Sequence, residues 1–349
     1  MFKRILVPLD GSDLAERAMP VAARLAKASG GTVIVLQVVA IPVETGKVVI
    51  YNQQAIDNNL GVALDYLERV AQSEALSQCA VEIHSLAGAT APTLLSAIPS
   101  FQVDIVVMCS HGYTTLKRWA LGSVSQKVAR HSPVPVLILP EGTILSFERQ
   151  PAREHSMTAI VALDGSSLSE AALEPAVEML TTLAASGKTV LHLVEVVSLP
   201  VTYGHLRSQT LLDAETVVQE KQEAETYLTD VKKKLSQKLT ACNNLTIATS
   251  VVVDADIAEA IMRVAGNKHE QNREQQTLPA ADFIAMATHG RGGLPRWIMG
   301  SITERVLHAA SLPLMIVSPW ARETRHTTNG ASIFSEKLAM DEVCEIGQD

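Results

Sequence analysis

The chain carries one polypeptide pattern twice, and this duplication constrains its fold more than any other feature. In the second copy Ala287-Thr288-His289-Gly290 is followed by nine residues and then Gly300-Ser301. In the first, Cys109-Ser110-His111-Gly112 is followed by nine residues and then Gly122-Ser123. A short apolar run precedes each copy, Asp104 to Met108 and Asp282 to Met286, and reads as a buried strand. A helix start follows each, since Ser123 with Gln126 and Ser301 with Glu304 have the capping-box spacing. Strand, glycine loop and helix together suit a phosphate. Glycines let the backbone approach an anion, and the first N–H groups of a helix lack partners and carry partial positive charge. One copy reads equally well as a helix start and nothing more. Two copies with the same strand, His-Gly, spacing and Gly-Ser favour the anion seat.

The duplication extends along the chain. Lys3 to Leu9 and Thr158 to Leu163 are β-rich runs that end in Asp10-Gly11-Ser12 and Asp164-Gly165-Ser166. Asp13 with Glu16 and Ser167 with Glu170 then signal helices, stopped by Gly30-Gly31 and Gly187. Second strands over Thr32 to Val39 and Thr189 to Val197 are almost wholly apolar, as parallel strands buried on two faces must be. Long helical patterns follow over Gln53 to Ser77 and Leu212 to Leu239, then third strands over Ala80 to Leu86 and Leu245 to Val252. Short helices over Pro92 to Ile98 and Ile257 to Val264 lead to the fourth strands and the glycine loops. Fifth strands fit Pro133 to Leu139 and Pro313 to Val317, and the prolines favour an edge position for them. The fold class is α/β: two repeated domains, each a five-stranded parallel sheet in the order 3-2-1-4-5 with helices on both faces. The domains are 1–140 and 157–319, with a polar joint between them, a polar insertion at 266–281 and a polar tail at 320–349 that reads equally as disordered or as carrying a weak helix over Ile333 to Val343.

Composition narrows the function. The 349 residues are 47% hydrophobic and 19% charged, enough for sizeable cores and unlike a disordered chain. A net charge of −8 argues against a general nucleic-acid binder, which gains affinity from basic patches. It leaves room for a small anion on a local positive site. The apolar run after Met1-Phe2-Lys3-Arg4 meets Asp10 too soon for a signal peptide, and no uncharged apolar run has membrane-spanning length. A soluble cytoplasmic protein is expected. Cys79, Cys109, Cys242 and Cys344 form no metal-spaced pair.

In open parallel sheets, ligands sit at the carboxyl ends of the strands, where the strand order reverses. Asp10 and Asp164, Val38 and Val196, and both glycine loops fall at that end. Each half then offers one crevice, with phosphates on the loop and a nucleoside near the aspartate and valine. The aspartates read either as acceptors for a ribose hydroxyl or base amine, or as turn formers. The valines read as base-edge contacts or as plain core. His111 and His289 are read as loop-holding groups rather than catalysts, and Arg291 as a phosphate partner or a solvated side chain.

On these residues the chain resembles the universal stress protein family, over about Met1 to Pro140 and Met157 to Pro319. The resemblance implies a tandem member that binds adenine nucleotide, ATP with or without Mg2+. It implies phosphate contacts from Gly112, Gly122, Ser123 and Val124 in the first half, and from Gly290, Gly300, Ser301 and Ile302 in the second. Asp10, Val38, Asp164 and Val196 would hold the nucleoside. The family's first loop glycine is Cys109 here and Ala287 in the second copy, and Asp254 stands where the first half has Gly88. It further implies a pseudo-dimer, the two halves pairing through their last strands about a twofold axis, with a further homodimer as an extension. The chain has no P-loop Gly-Lys-Ser/Thr and no repeated acidic pair for two-metal chemistry, so binding with little turnover is expected over slow ATP hydrolysis on the same scaffold. An association scaffold with empty pockets is the third reading.

Overall fold

The computed structural model describes residues 2–41, 53–110, 122–140, 157–184, 187–198, 207–239, 244–266, 280–289 and 299–319, with backbone alone for 207–214. The tail, the joint and most of the insertion lie outside these residues. In chain order the first half comprises β1 (Arg4–Leu9), α1 (Asp13–Glu16), α2 (Met19–Ser29), β2 (Thr32–Ala40), α3 (Gln53–Ala71), β3 (Ala80–Gly88), α4 (Thr90–Ser100), β4 (Ile105–Cys109), α5 (Ser123–His131) and β5 (Val136–Leu139). The second comprises β6 (Met157–Leu163), α6 (Leu173–Leu183), β7 (Thr189–Ser198), α7 (Arg207–Lys238), β8 (Leu245–Asp254), α8 (Ile257–Ala265), β9 (Phe283–Ala287), α9 (Ser301–Ala309) and β10 (Leu314–Val317).

The strands form one ten-stranded sheet in the order β3-β2-β1-β4-β5-β10-β9-β6-β7-β8. Each half therefore has the expected order 3-2-1-4-5. All neighbours are parallel except β5 and β10, which pair antiparallel with Leu314 opposite Ile138, Met315 opposite Leu137 and Ile316 opposite Val136. The expected edge position of the fifth strands is thus corrected. Each has a neighbour on both sides, and the true edges are β3 and β8. The prolines fit because they precede the strands. Pro135 and Pro313 contribute only their carbonyls, accepting from Val106 and Ile284 at 3.0 and 2.9 Å, so the missing proline N–H costs nothing.

Side chains alternate across the sheet and divide between two cores. Ile5 and Val7 join α2, α3, α6 and α7 on one face, and Leu6 joins α4, α5, α8 and α9 on the other. Both cores run through both halves. Across the joint, Arg24 on α2 donates to the Leu183 carbonyl at the end of α6 at 3.1 Å.

Several boundaries shift for identifiable reasons. Asp104 and Asp282 precede β4 and β9 instead of opening them. Their carboxylates accept from the first strands, Asp104 from the Arg4 N–H at 2.9 Å and Asp282 from the Thr158 N–H at 2.7 Å. The cap of α1 is Ser12, whose Oγ accepts from the Ala15 N–H at 3.2 Å, so Asp13 is already helical. In the second half Ser166 takes this place, and a 3-10 turn over Ser169–Ala172 leads into α6. The first long helix ends at Ala71, and a 3-10 turn over Glu74–Leu76 replaces its last turn. Gly30-Gly31 ends α2 as expected: Gly30 has φ +62°, and a Cβ on Gly31 would lie 2.4 Å from the Lys3 carbonyl oxygen.

The end of α4 carries a local conflict. Gln102, with φ +52°, holds the left-handed position that usually falls to glycine. The flanking bonds, Val103 N–H to Ile98 at 2.9 Å and Gln102 N–H to Pro99 at 3.1 Å, complete a Schellman-type end. Gln102 is exposed, so Gln102→Gly relieves the Cβ crowding and loses little packing. An increase in stability of about 0.5–1 kcal/mol is expected from the shift in urea midpoint. An unchanged or lower midpoint would mean that the glutamine is not strained.

Candidate functional site

The two glycine-loop helices begin alike. Gly122 (φ −62°, ψ 144°) caps α5 and Gly300 (φ −59°, ψ 141°) caps α9. Each glycine N–H donates back to the residue just past the preceding strand, Ser110 or Thr288, both at 2.8 Å. Each glycine carbonyl accepts the fourth helical N–H, from Gln126 at 2.9 Å and Glu304 at 3.0 Å. This pins the helix start to the strand end and aims the N–H groups of residues 123–125 and 301–303 outward.

The capping-box reading is corrected here. Ser123 and Ser301 occupy the first helical position, and no side chain caps either helix. Gln126 and Glu304 do not reach back to their own helix starts. They meet each other across the joint, Gln126 Nε2 donating to Glu304 Oε1 at 3.0 Å, while Arg130 donates to the same oxygen at 3.3 Å. Two hydroxyls that the sequence reading passed over do structural work in both copies. Ser125 Oγ donates to the Cys109 carbonyl at 3.0 Å and Thr303 Oγ1 to the Ala287 carbonyl at 2.9 Å. The signal was available, as a small hydroxyl residue two places after Gly-Ser in both repeats.

Strand registers bring the remaining positions to the same level. Leu9 lies opposite Gln37, so Asp10 ends beside Val38. Leu6 lies opposite Val106, and four residues on from each come Asp10 and Ser110. In the second half Leu163 lies opposite Glu195 and Val161 opposite Ala285, which places Asp164 beside Val196 and level with Thr288. β1 and β6 each sit between the second and fourth strands of their half, where the order reverses. Val38, Val196, Val124 and Ile302 are half-buried against the α4/α5/α8/α9 core. Asp10, Val38, Gly122, Ser123 and Val124 thus share one end of the first half, as Asp164, Val196, Gly300, Ser301 and Ile302 do in the second. Gly112, Gly290, His111 and Arg291 lie outside the described residues.

Both aspartates form turns. Asp10 Oδ1 accepts from the Ser12 N–H at 3.1 Å and the Ser12 hydroxyl at 2.6 Å. Asp164 Oδ1 accepts the same pair from Ser166 at 3.0 and 2.6 Å. Beneath them lies a second repeated pair that the sequence did not reveal. The Tyr66 hydroxyl donates to Glu16 at 2.9 Å and the Tyr227 hydroxyl to Glu170 at 3.3 Å. Burial, then the neighbouring carboxylates, raise both phenols above their ordinary range. Cys109 is buried in the core with Leu9, Ala15 and Ala18, and burial pushes its thiol up to about 12. His289 is buried with Nδ1 2.9 Å from Thr288 Oγ1.

A family model described as the universal stress protein family matches residues 1–140 and 156–318. The chain belongs to the universal stress protein family. Its two matched segments make it a tandem member. One universal stress protein of Mycobacterium tuberculosis is 28% identical over 233 residues, and that match spans 64% of this chain and 64% of the relative, just under two thirds of its length. Another from the same organism is 26% identical over 339 residues, 89% of this chain and 94% of the relative. A universal stress protein of Thermus aquaticus is 34% identical over 143 residues, 40% of this chain but 99% of the relative, so one repeat here corresponds to a whole protein there. Among solved structures, a universal stress protein from Archaeoglobus fulgidus shares the fold with a TM-score of 0.59 at 19% identity, covering 90% of this chain and 98% of that one.

Proposed function

We propose that each half of this universal stress protein takes up an adenine nucleotide, ATP with Mg2+, and that the chain acts in the cytoplasm as a nucleotide-responsive regulatory protein of the stress response with little or no turnover. One observation carries the reading: twice, a glycine-capped helix without a side-chain cap starts at the level of an aspartate and a valine on neighbouring strands. Outward N–H groups at a helix start suit phosphate oxygens. The half-buried valines offer an apolar wall to a base. Mg2+ commonly takes phosphate oxygens, waters and one or two carboxylates, and Asp10 or Asp164 is the carboxylate at this level. The sequence has no P-loop Gly-Lys-Ser/Thr, and Glu16 and Glu170, the second repeated acids, each accept from a tyrosine hydroxyl, which favours binding over hydrolysis. Among the described residues no helix is long and apolar enough to cross a membrane. The last strands have neighbours on both sides, so a second copy has no free edge there.

The test is the nucleotide content of gently purified full-length protein by mass spectrometry, followed by titration with ATP and a phosphate-release assay. Up to two adenine nucleotides per chain and phosphate release at background are expected. Failure to bind at millimolar ATP would leave an association scaffold. Turnover that disappears in the Gly300→Val variant would make the chain an ATP hydrolase.

A further inference from the structure

The two halves differ in the charge of the loop and helix after the third strand. In the first half this stretch, Gly88 to Ser100, contains no charged residue. In the second half the matching stretch holds Asp254, Asp256, Glu259 and Arg263. The registers fix the correspondence, since Gly88 lies opposite Ala40 and Asp254 opposite Ser198, each two residues beyond the Val38 or Val196 level. Asp254 therefore stands at the carboxyl edge of the sheet beside the proposed nucleoside position. It shares its strand face with Val252, which packs against the core that α8 and α9 cover.

A carboxylate there would repel a polyphosphate, yet the structure turns this one aside. Asp254 Oδ2 accepts from Arg263 on α8 at 2.5 Å, and Oδ1 accepts from the Asp256 N–H at 2.9 Å. Asp256 is held likewise. Its Oδ1 caps α8 by accepting the Glu259 N–H at 3.0 Å, and its Oδ2 pairs with Arg305 on α9, the fifth residue of the seat helix. The Asp256 N–H, then Arg263, hold the Asp254 carboxyl below its ordinary range, so it stays charged at neutral pH and protonation gives no relief.

We propose that Arg263 is a positioning residue for the second nucleotide pocket: it draws the Asp254 carboxylate onto α8 and so makes an acidic loop, absent from the first half, compatible with an anionic ligand. This rests on the nucleotide reading above. Arg263 does not touch the ligand; its effect passes through Asp254 and is confined to the second half. Release of the carboxylate would put an uncompensated charge at the nucleoside end of an anionic ligand, and a through-space repulsion of that kind is strong enough to read but weakened by solvent and salt.

The experiment uses the full chain with one seat blocked at a time. In a Gly122→Val background only the second half reports, and in a Gly300→Val background only the first. Isothermal titration with ATP at low salt is expected to show Arg263→Ala weakening the second half about three- to tenfold while the first half is unmoved. The loss should shrink at high salt. Adding Asp254→Gly, which copies the first half, should restore affinity to within about twofold, and Arg263→Lys should retain most of it. A structural role for Arg263 would not give rescue by removal of its partner. Unchanged affinity in Arg263→Ala, or no rescue by Asp254→Gly, would overturn the proposal. If ATP bound in neither background, the nucleotide reading would fall and this proposal with it, a different result from binding that ignores Arg263.

Discussion

Valine in place of Gly300 is expected to weaken ATP binding by the second half at least about thirtyfold, a loss of ~2 kcal/mol. The glycine lies where three requirements meet. It caps α9, its N–H is fixed to the Thr288 carbonyl at 2.8 Å, and its carbonyl closes the first helical turn onto Glu304. Its backbone angles are open to any residue, so the effect comes from space. A Cβ there would lie 3.3 Å from the Thr288 carbonyl oxygen and 3.9 Å from Thr303 Oγ1. The Thr288 contact is the hydrogen bond that sets the helix against β9, and relieving the crowding there tilts the first N–H groups off their aim. Valine adds two methyls at a point where an anion must come within hydrogen-bond reach of the backbone. Alanine, with one, should give an intermediate loss. Titration calorimetry on the single variants reads both. Wild-type affinity in Gly300→Val would show that nucleotide, if bound, lies elsewhere.

Much of this arrangement was legible in the sequence because it rests on local, repeated signals. The apolar second and fourth strands, the Asp-Gly-Ser turns and the nine-residue spacing each report on a few neighbouring residues, and duplication doubled each signal. What escaped depended on distant partners or on a single-residue offset. Gly-Ser followed by Gln or Glu admits a serine cap or a glycine cap one place earlier, and only the pinning of Gly122 and Gly300 to Ser110 and Thr288 selects the glycine. Gln126 and Glu304 then take up a contact 178 residues apart, which no local pattern announces. Prolines beside the fifth strands marked the rim of each half correctly. Placement of that rim in the middle of a larger sheet follows from β5 meeting β10. Tyr66 and Glu16, 50 residues apart, escaped for the same reason, although their counterparts Tyr227 and Glu170 repeat the pair. Asp254, which stands where the first half has Gly88, pairs with Arg263 nine residues on, and the sequence alone does not assign that contact.

The joint between the halves carries the largest stability effect. Met315 is fully buried on β10, opposite Leu137 of β5, which is 2% exposed. Aspartate at position 315 would bury a carboxylate in an apolar layer, at a cost of several kcal/mol set against a typical total of about 5–15. Met315→Asp is therefore expected to lose at least about 4 kcal/mol, and Met315→Ala, which leaves only a cavity, about 2–4 kcal/mol. The form of the loss tells more than its size. Independent domains would show two unfolding steps, with only the second-half step displaced. Here the α2/α3/α6/α7 core contains Leu137, Met315 and residues of both halves, and Arg24 on α2 reaches the end of α6. Neither half keeps a complete apolar face once the other unfolds. The wild-type chain should accordingly unfold in urea as one transition by circular dichroism, and Met315→Ala should move that transition as a whole. Two separated steps with the first-half step unmoved would show that the strands meet without sharing a core, and that each half is stable alone.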